Sequence, residues 1–522
     1  MCVSALVCAS SMLQWLLTGL SDPKRQRVVA ILCVCAYVMA WTIYGVIAKS
    51  SQDINADMAE MVIWSRELAL GYPSHPPFLA YALKLWFFVF PLADWAFILL
   101  AVLTAAIGLY LGFELAGFWL NGEKRAAVLF LLAVVPFYNF FALKFDQNSV
   151  LIPLWALASL AFLRSLETRS LSWAALTGIV AAAAMLTKYW SAFLLVALFL
   201  TAFIDHRRKF YWASRAPWIT AVVFVLAVLP HAIWLLEGKF PPRTWIGRRT
   251  SESIWDFADS LTEYVFGTIG YSAVAIILVA LLVHPSGKAV RDSWFYRDPN
   301  RRPATILFWV PLLLPIPVAL ATWTNLLSLW NAPSYSLLPV MMLASPLISM
   351  PGVALLRLAT TVTILTFTVL LASPLVALAV LKNGVENDAA YAKLAAVAVE
   401  RQWQETCNCR LRLVGGPFKL ANSVSFYIKD RPSTFSLALP SRSPPYLDPR
   451  FASPWADAGR IASQGIALIC PTDKTDCVEA MDNFLAINQA RQRAEVALTR
   501  HWLDFAGETR RFVIATIPPA RQ

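Results

Sequence analysis

Long apolar runs separated by short polar segments fill the first 381 residues of the chain. A membrane-spanning helix needs about 20 mostly apolar residues, and shorter ones fit where they are enclosed by a bundle. The pattern therefore predicts a polytopic α-helical membrane protein with about eleven transmembrane helices. The predicted spans are 28–48, 94–119, 126–143, 149–164, 172–187, 190–204, 218–236, 264–284, 304–321, 335–350 and 358–381.

The remaining residues, 382–522, are polar and numerous enough for a small domain. Their periodicity changes between helix-like and strand-like, which predicts a C-terminal α/β fold. The chain is thus divided into a transmembrane part, 1–381, and a C-terminal domain, 382–522. The predicted elements of this domain are helices Asp388–Gln404 and Cys477–Phe505 and strands Leu411–Val414 and Ile466–Cys470.

Composition supports the membrane assignment, with 58% hydrophobic and 15% charged residues against about 25% charged in soluble proteins. The net charge of +12 comes from short basic clusters between apolar runs, which argues against a nucleic-acid partner. Placing the first cluster, Lys24 to Arg27, inside the cell puts segment 49–93 and the C-terminal domain outside. We expect a bacterial inner-membrane protein whose active site and C-terminal domain face the periplasm.

Two terminal features qualify this layout. Residues 1–20 are apolar and precede the first basic cluster, the reverse of a signal peptide, which predicts an interfacial helix or a start-site extension. Four cysteines of the C-terminal domain are disulfide candidates if that domain is extracytoplasmic. Zinc binding is disfavoured because no histidine lies at ligand spacing from Cys407, Cys409, Cys470 and Cys477.

The first outer loop, 49–93, carries the candidate catalytic acid Asp57. Charged groups near membrane depth are functional by default, and Asp57 precedes an amphipathic stretch that includes Trp64. A carboxylate beside an apolar surface is suited to act as general base on an acceptor. The alternative is a helix N-cap, completed by Glu60 in a capping box; the two roles can coexist.

The same loop contains His75, between Ser74 and the pair Pro76-Pro77. The prolines fix the local backbone, and a rigid turn positions an imidazole for phosphate contact or proton transfer. The alternative is a solvated loop histidine. A further histidine, His231, follows a proline within a predicted span, where a packing hydrogen bond is expected.

Basic residues at the outer ends of spans predict a phosphodiester-binding site. Lys144 and Lys188 each end an outward-running span, where the alternative role of a lysine is to reach the interface as an anchor. An outward basic cluster next to an indole is suited to an anionic lipid head group. That cluster consists of Arg243, Arg248 and Arg249 beside Trp245.

The order and spacing of several motifs resemble the GT-C class of polyprenyl-phosphate-sugar glycosyltransferases, which contains the protein mannosyltransferases and the lipid A aminoarabinose transferases. The motifs occur in family order over residues 28–350. They are Asp57 to Ser65, Gly71 to Pro77, Ala142 to Phe145, Leu151 to Trp155, Met185 to Tyr189, Pro230 to Leu236 and Leu329 to Pro333.

This resemblance implies transfer of a sugar from a polyprenyl-phosphate donor to an envelope glycolipid, polysaccharide or protein at the outer face of the membrane, with inversion. Asp57 falls on the family's catalytic acid. Lys188, His75 and the arginines at 243, 248 and 249 fall on or near the positions that hold the donor phosphate. Further donor or acceptor contacts are expected from Asp146, Asn148, Tyr189 and Trp245.

Three positions depart from the family pattern. Met58 replaces the second acid of the first motif, Ser74 stands where an acid is common, and Asn148 aligns with a family aspartate. Hard divalent cations require several carboxylate oxygens, so we expect neither a tightly bound metal nor another cofactor. A phosphate leaving group requires mainly cationic stabilisation, so one carboxylate suffices.

Two other functions compete with the transferase. A flippase or transporter of lipid-linked sugars is expected to show symmetric halves and broken spans at matching positions, and the sequence shows neither. A catalytically impaired relative, with the C-terminal domain as a binding module, agrees with the missing acids. A donor-consumption assay separates these alternatives.

Overall fold

The membrane part is built from helices whose apolar residues satisfy their backbone groups internally. The computed structural model describes residues 13–72, 74–237, 250–295, 298–384, 388–437, 453–488 and 492–520. The α-helices before the C-terminal sheet include Gln26–Ala48, Ala56–Arg66, Phe78–Val89, Asp94–Ala116, Gly122–Ala133, Gln147–Thr168, Leu171–Thr187, Ala192–Ile204, Arg208–Trp212, Ala216–Leu236, Ile254–Val283, Gly287–Trp294, Arg302–Leu313, Pro315–Thr322, Leu338–Leu343, Gly352–Asn383 and Ala392–Thr406.

Seven helical segments of the described chain are long and apolar enough to cross a membrane. The predicted fold class is confirmed, but the count of eleven spans is not. The seven segments are Gln26–Ala48, Asp94–Ala116, Gln147–Thr168, Ala216–Leu236, Ile254–Val283, Arg302–Thr322 and Gly352–Asn383.

Two predicted spans, 126–143 and 335–350, are not continuous helices. In the first, Gly122–Ala133 is followed by the 3-10 turns Pro136–Tyr138 and Phe141–Leu143. In the second, the 3-10 helix Ser328–Leu337, which contains Pro333, passes into a six-residue helix. Proline lacks an amide hydrogen and clashes with the preceding turn, which explains why an apolar run does not suffice for a straight span here.

Helix Ile254–Val283 begins ten residues before the predicted span 264–284. The Ser253 hydroxyl caps it by accepting a hydrogen bond from the Asp256 backbone N–H at 3.1 Å. The early turns contain acidic residues, and a criterion based on apolar runs ends at them. Glu263 consequently lies within this helix, although the predicted layout placed it at the end of an outer loop.

The chain separates into two compact units. The first comprises residues 1–43, 98–233 and 246–370, and the second comprises 44–97, 234–245 and 371–522. The core of the first unit contains large, fully buried side chains such as Phe113 and Tyr138. The first outer loop and the C-terminal residues belong to the same unit, the second.

A five-stranded sheet forms the centre of the C-terminal region, in the order β2-β1-β3-β5-β4. Strand β1 pairs in parallel with β2 and β3, while β5 pairs antiparallel with β3 and β4. This topology confirms a small C-terminal α/β fold. The strands are β1, Leu413–Gly416; β2, Ser433–Ser436; β3, Ile466–Pro471; β4, Gln492–Trp502; and β5, Phe505–Ile517.

Both faces of the sheet are covered by helices. Successive strand residues point to opposite faces, so Val414 and Ile469 pack with helices Ala392–Thr406 and Phe418–Tyr427. Their neighbours in the strands pack with the other two helices of the region. Those helices are Ala458–Gln464 and Thr475–Asn488.

The predicted terminal helix Cys477–Phe505 is wrong beyond Asn488. Residues Gln492–Trp502 form β4 instead, in register with β5. This stretch is rich in helix formers, but pairing with β5 and the packing of Val496 and Leu498 against the sheet core override that preference. The four cysteines of this region form the disulfides Cys407–Cys409 and Cys470–Cys477.

Candidate active site

Asp57 lies in the first turn of helix Ala56–Arg66 and is half-buried. The N-cap is Asn55, whose side-chain oxygen accepts the Asp57 backbone N–H at 3.0 Å. The alternative of Asp57 as N-cap with a Glu60 capping box is therefore wrong. Asparagine is among the best capping residues, and Asp57 lies two residues after it, in the helix turn that favours negative charge.

The His75 turn is attached to the same helix through two aromatic rings. Tyr72 stacks on Trp64 at 4.7 Å between ring centroids and donates from its hydroxyl to the Trp64 carbonyl oxygen at 2.8 Å. The Tyr72 N–H donates to the His75 carbonyl oxygen at 3.0 Å, which closes the turn. The His75 ring lies 6.2 Å from the Trp64 ring.

Helix geometry relates the imidazole to the acid. Trp64 is seven residues after Asp57, two turns along the same face and about 10.5 Å along the axis. Because Trp64 contacts both Tyr72 and His75, one rigid helix carries the candidate base and orients the candidate phosphate contact. Both residues lie in the second unit.

A polar cluster anchors the chain just before this helix. Asp53 accepts the Lys393 backbone N–H at 3.2 Å, and the Lys393 ammonium pairs with Asp94 at 3.0 Å. Tyr427 donates to Asp94 at 2.8 Å and accepts the Ile54 N–H at 2.8 Å. Burial raises the pKa of Asp53 to about 7. Sequence reasoning missed this cluster, because its partners are about 300 to 370 residues apart and no local pattern links them.

In the first unit, Lys188 is the most deeply buried of the predicted phosphate-binding residues that the structure describes. Its exposed fraction is 7%. The ammonium donates to the Asn148 side-chain oxygen at 2.7 Å and lies 4.5 Å from the centre of the Trp330 ring. The amide and the indole carry no net charge, and a cation over an indole face is stabilised without losing its charge.

The residues around Trp330 extend this site. Trp190 meets Trp330 edge to face at 4.9 Å. Asn331 accepts from the Tyr264 hydroxyl at 3.0 Å, and Ser328 donates from its hydroxyl to Glu263 at 2.5 Å. The motif Leu329 to Pro333 was among those that carry the family resemblance, but these contacts were not predicted. An acid within an apolar helix, such as Glu263, is the signal that points to them.

Asp146 caps the helix that follows it, and Lys144 lies close to its carboxylate. The Asp146 carboxylate accepts the Ser149 N–H at 2.9 Å, and the Ser149 hydroxyl bonds back to the Asp146 backbone, forming a capping box for helix Gln147–Thr168. The Lys144 ammonium lies 3.8 Å from the Asp146 carboxylate and is partly exposed. Their predicted roles in donor binding stay predictions.

Tyr189 and His231 contact each other, with 2.7 Å between the phenol oxygen and Nε2. His231 is buried, which confirms the predicted packing hydrogen bond. The predicted cluster of Arg243, Arg248 and Arg249 with Trp245 lies outside the described residues. In the described ranges no group of three or more His, Cys, Asp or Glu side chains is arranged to hold a metal ion, and metal independence stays a prediction.

Comparison with known proteins bears on this arrangement. Residues 74–234 match the model of the family described as dolichyl-phosphate-mannose-protein mannosyltransferase. This segment contains His75, Lys144, Asn148, Lys188 and His231. The predicted resemblance to GT-C glycosyltransferases is confirmed in this part of the chain.

A curated relative is the lipopolysaccharide core galacturonosyltransferase RgtB of Rhizobium johnstonii. It is 27% identical over 264 residues, which cover 48% of this chain and 51% of the relative. The chain therefore matches about half the length of this relative.

Among solved structures, the fold matches ArnT from Cupriavidus metallidurans in its apo state, with a TM-score of 0.57 and 13% identity. The alignment covers 94% of this chain and 99% of that one. The same protein bound to undecaprenyl phosphate matches with a TM-score of 0.56 and 14% identity over the same shares. At this identity the likeness establishes the fold, a multi-pass membrane protein with a small C-terminal domain.

Proposed function

We propose that this protein is a glycosyltransferase that moves a sugar from a polyprenyl-phosphate donor to an envelope glycolipid, polysaccharide or protein acceptor. The reaction takes place at the outer face of the bacterial inner membrane. One observation carries the proposal: the buried Lys188 ammonium is held between the Asn148 oxygen and the Trp330 ring, in the segment that matches the mannosyltransferase family. The fold shared with ArnT supports it.

Lys188 binds the donor phosphate in this mechanism. The Asn148 amide and the Trp330 ring are neutral groups, so these two contacts orient the ammonium without cancelling its charge. A phosphate oxygen that reaches the ammonium forms a charge-assisted hydrogen bond. The same contact strengthens as the leaving phosphate gains charge, which lowers the barrier for departure.

Asp57 is the general base. It accepts the proton of the acceptor hydroxyl or amine while that oxygen or nitrogen forms a bond to the anomeric carbon. The bond from the anomeric carbon to the phosphate oxygen breaks, and its electron pair leaves with the polyprenyl phosphate. A single displacement inverts the anomeric configuration. His75, on the turn fixed by Tyr72 and Trp64, contacts the donor phosphate or assists proton transfer.

The test of the base is Asp57→Asn in purified, full-length protein. Asn55 caps the helix, so the substitution removes a charge and leaves the cap intact. We expect kcat to fall roughly 10²- to 10⁴-fold, the usual contribution of general-base catalysis, with little change in donor KM. The matched control is Glu123→Gln, since Glu123 also lies in the first turn of a helix. Full activity of folded Asp57→Asn would refute the assignment.

A further inference from the structure

The helix that carries Asp57 is too short to be stable by itself. It spans eleven residues, Ala56–Arg66, and isolated helices of fewer than about 12 to 15 residues are marginal in water, because most helical stability in proteins comes from packing. Eight of its eleven residues are buried. Within the second unit it packs against helices Phe78–Val89 and Phe418–Tyr427, and the latter belongs to the C-terminal domain. The position of the Asp57 helix therefore depends on that domain.

The chain that enters this helix is held by a phenol of the C-terminal domain. The Tyr427 hydroxyl accepts the Ile54 backbone N–H at 2.8 Å and donates to the Asp94 carboxylate at 2.8 Å. Ile54 is three residues before Asp57 and immediately precedes the N-cap, Asn55. Because the bond to Asp94 orients the hydroxyl, its oxygen holds the Ile54 amide at a defined position.

Two side chains of strand β4 hold the residues just before Ile54. Arg500, which is 4% exposed, donates from Nη2 to the Ser51 carbonyl oxygen at 2.7 Å. The Trp502 indole N–H donates to the Ser50 hydroxyl at 2.6 Å. A side chain that bonds to a backbone group fixes the path of the main chain directly. The segment that leads into the Asp57 helix is therefore attached to the C-terminal domain at successive positions.

The other end of the helix is attached to the same domain. Arg66 donates from Nη1 to the Ser425 hydroxyl and to the Pro432 carbonyl oxygen, each at 2.9 Å. Glu67, the C-cap residue, pairs with Arg460 at 3.1 Å. Bonds at both ends restrict translation of the helix along its axis and rotation about it. The domain that supplies these bonds thereby determines the direction in which the residues of the first turn project.

We propose that the C-terminal domain sets the position of the candidate base, and that Tyr427 is a positioning residue for Asp57. The role of Asp57 as base rests on the proposed function; the attachment of its helix does not. A general base must lie within hydrogen-bond reach of the proton that it accepts, and a misplacement of about 1 Å can cost about 10²-fold in rate. Tyr427 acts through the backbone at Ile54, without contact to donor or acceptor.

Tyr427→Phe in purified, full-length protein tests this role. The variant keeps the ring and loses the hydroxyl bonds to Ile54 and Asp94. We expect kcat to fall roughly 10- to 100-fold, with donor KM unchanged. In the Asp57→Asn background the same substitution should have no further effect on kcat. A residue that acts through Asp57 gives this non-additive result, whereas general destabilisation lowers the rate equally in both backgrounds.

Thr406→Val is the matched control for loss of a hydroxyl in the C-terminal domain. The Thr406 hydroxyl bonds to Gln492 and Thr516 of the same domain, so this variant should retain wild-type kcat. Hydrogen–deuterium exchange resolved to the Ile54 amide gives a readout that requires no substrate. The amide should be protected in the wild type and in Thr406→Val. In Tyr427→Phe it should exchange about tenfold faster, because one hydrogen bond is lost.

Three results would overturn the positioning role: wild-type kcat in folded Tyr427→Phe, an equal fall in kcat with and without Asp57→Asn, or an unprotected Ile54 amide in the wild type. The last measurement does not depend on whether the variant folds. If the protein never consumes donor, or if Asp57→Asn is fully active, the proposed mechanism fails together with the positioning role, while exchange at Ile54 still decides whether the helix is attached. Normal donor consumption by Tyr427→Phe refutes the positioning role alone.

Discussion

Replacement of Lys188 by methionine removes one charge from the donor site and nearly preserves side-chain volume. The wild-type ammonium donates to Asn148 at 2.7 Å and lies 4.5 Å from the Trp330 ring centre. Both contacts are lost in Lys188→Met. Donor affinity should fall strongly, because the phosphate interacts with the ammonium charge. Protein stability should change little, because folding does not depend on that charge.

The magnitudes follow from these contacts. A hydrogen bond between an ammonium and a phosphate is worth about 1.5–3 kcal/mol, which corresponds to a roughly 10- to 150-fold loss of donor affinity. Stability loses the Asn148 bond and the indole contact, about 1–3 and about 0.5–2 kcal/mol. It regains part of this because a buried charge no longer has to be desolvated. We expect a net destabilisation below about 2 kcal/mol.

The assay is a binding titration of polyprenyl phosphate with purified protein, alongside thermal unfolding of the same samples. Lys209→Met is the control, because Lys209 is exposed and belongs to the same unit. It should bind polyprenyl phosphate like the wild type. If folded Lys188→Met binds polyprenyl phosphate as tightly as the wild type, Lys188 is an anchor and its assignment to the donor phosphate is wrong.

Three further predictions concern the second unit. Burial raises the pKa of Asp53 from 3.8 to about 7, so the folded unit retains a proton that the unfolded chain releases. The contribution of Asp53 to the stability of the unit is therefore fully present below pH 3.8 and is lost as the pH rises to about 7; in unfolding titrations Asp53→Asn should remove this component of the pH dependence. Gly416→Ala places a methyl group against the backbone of β3 and should lower the free energy of unfolding by roughly 1–3 kcal/mol, whereas Gly459→Ala should be tolerated. Replacing Cys470 and Cys477 by serine should lower it by roughly 2–3 kcal/mol, more than loss of the shorter Cys407–Cys409 loop does. Unchanged denaturation midpoints would contradict the last two.

The sequence predicted those features that depend on local composition. The apolar runs identified the membrane class, because a span must be apolar along its whole length. They did not identify the prolines at 136 and 333 as interruptions, since these spans are broken by backbone chemistry within an apolar composition. Strand β4 was missed for a different reason, because its pairing with β5 is a tertiary contact that local propensity does not show.

In the candidate site, too, some residues were predicted from the sequence and others were recognised only from the folded structure. Asp57 and Lys188 were predicted from charge at membrane depth and from family resemblance. Residue spacing alone did not show whether Asp57 caps its helix, and the structure identifies Asn55 as the cap. Arg66 and Asp53 were not singled out, although both are in the predicted outer loop. Their importance depends on partners near residues 393, 425 and 432, which only the folded chain brings to them.

Product stoichiometry tests most directly whether the protein consumes a polyprenyl-phosphate sugar. Purified protein is incubated with a radiolabelled donor and envelope lipids, and both released polyprenyl phosphate and glycosylated acceptor are quantified. We expect one molecule of polyprenyl phosphate released for each sugar transferred by the wild type, and both products formed roughly 10²- to 10⁴-fold more slowly by Asp57→Asn. Donor that remains intact with wild-type protein, under conditions where the protein is folded and binds polyprenyl phosphate, would contradict it.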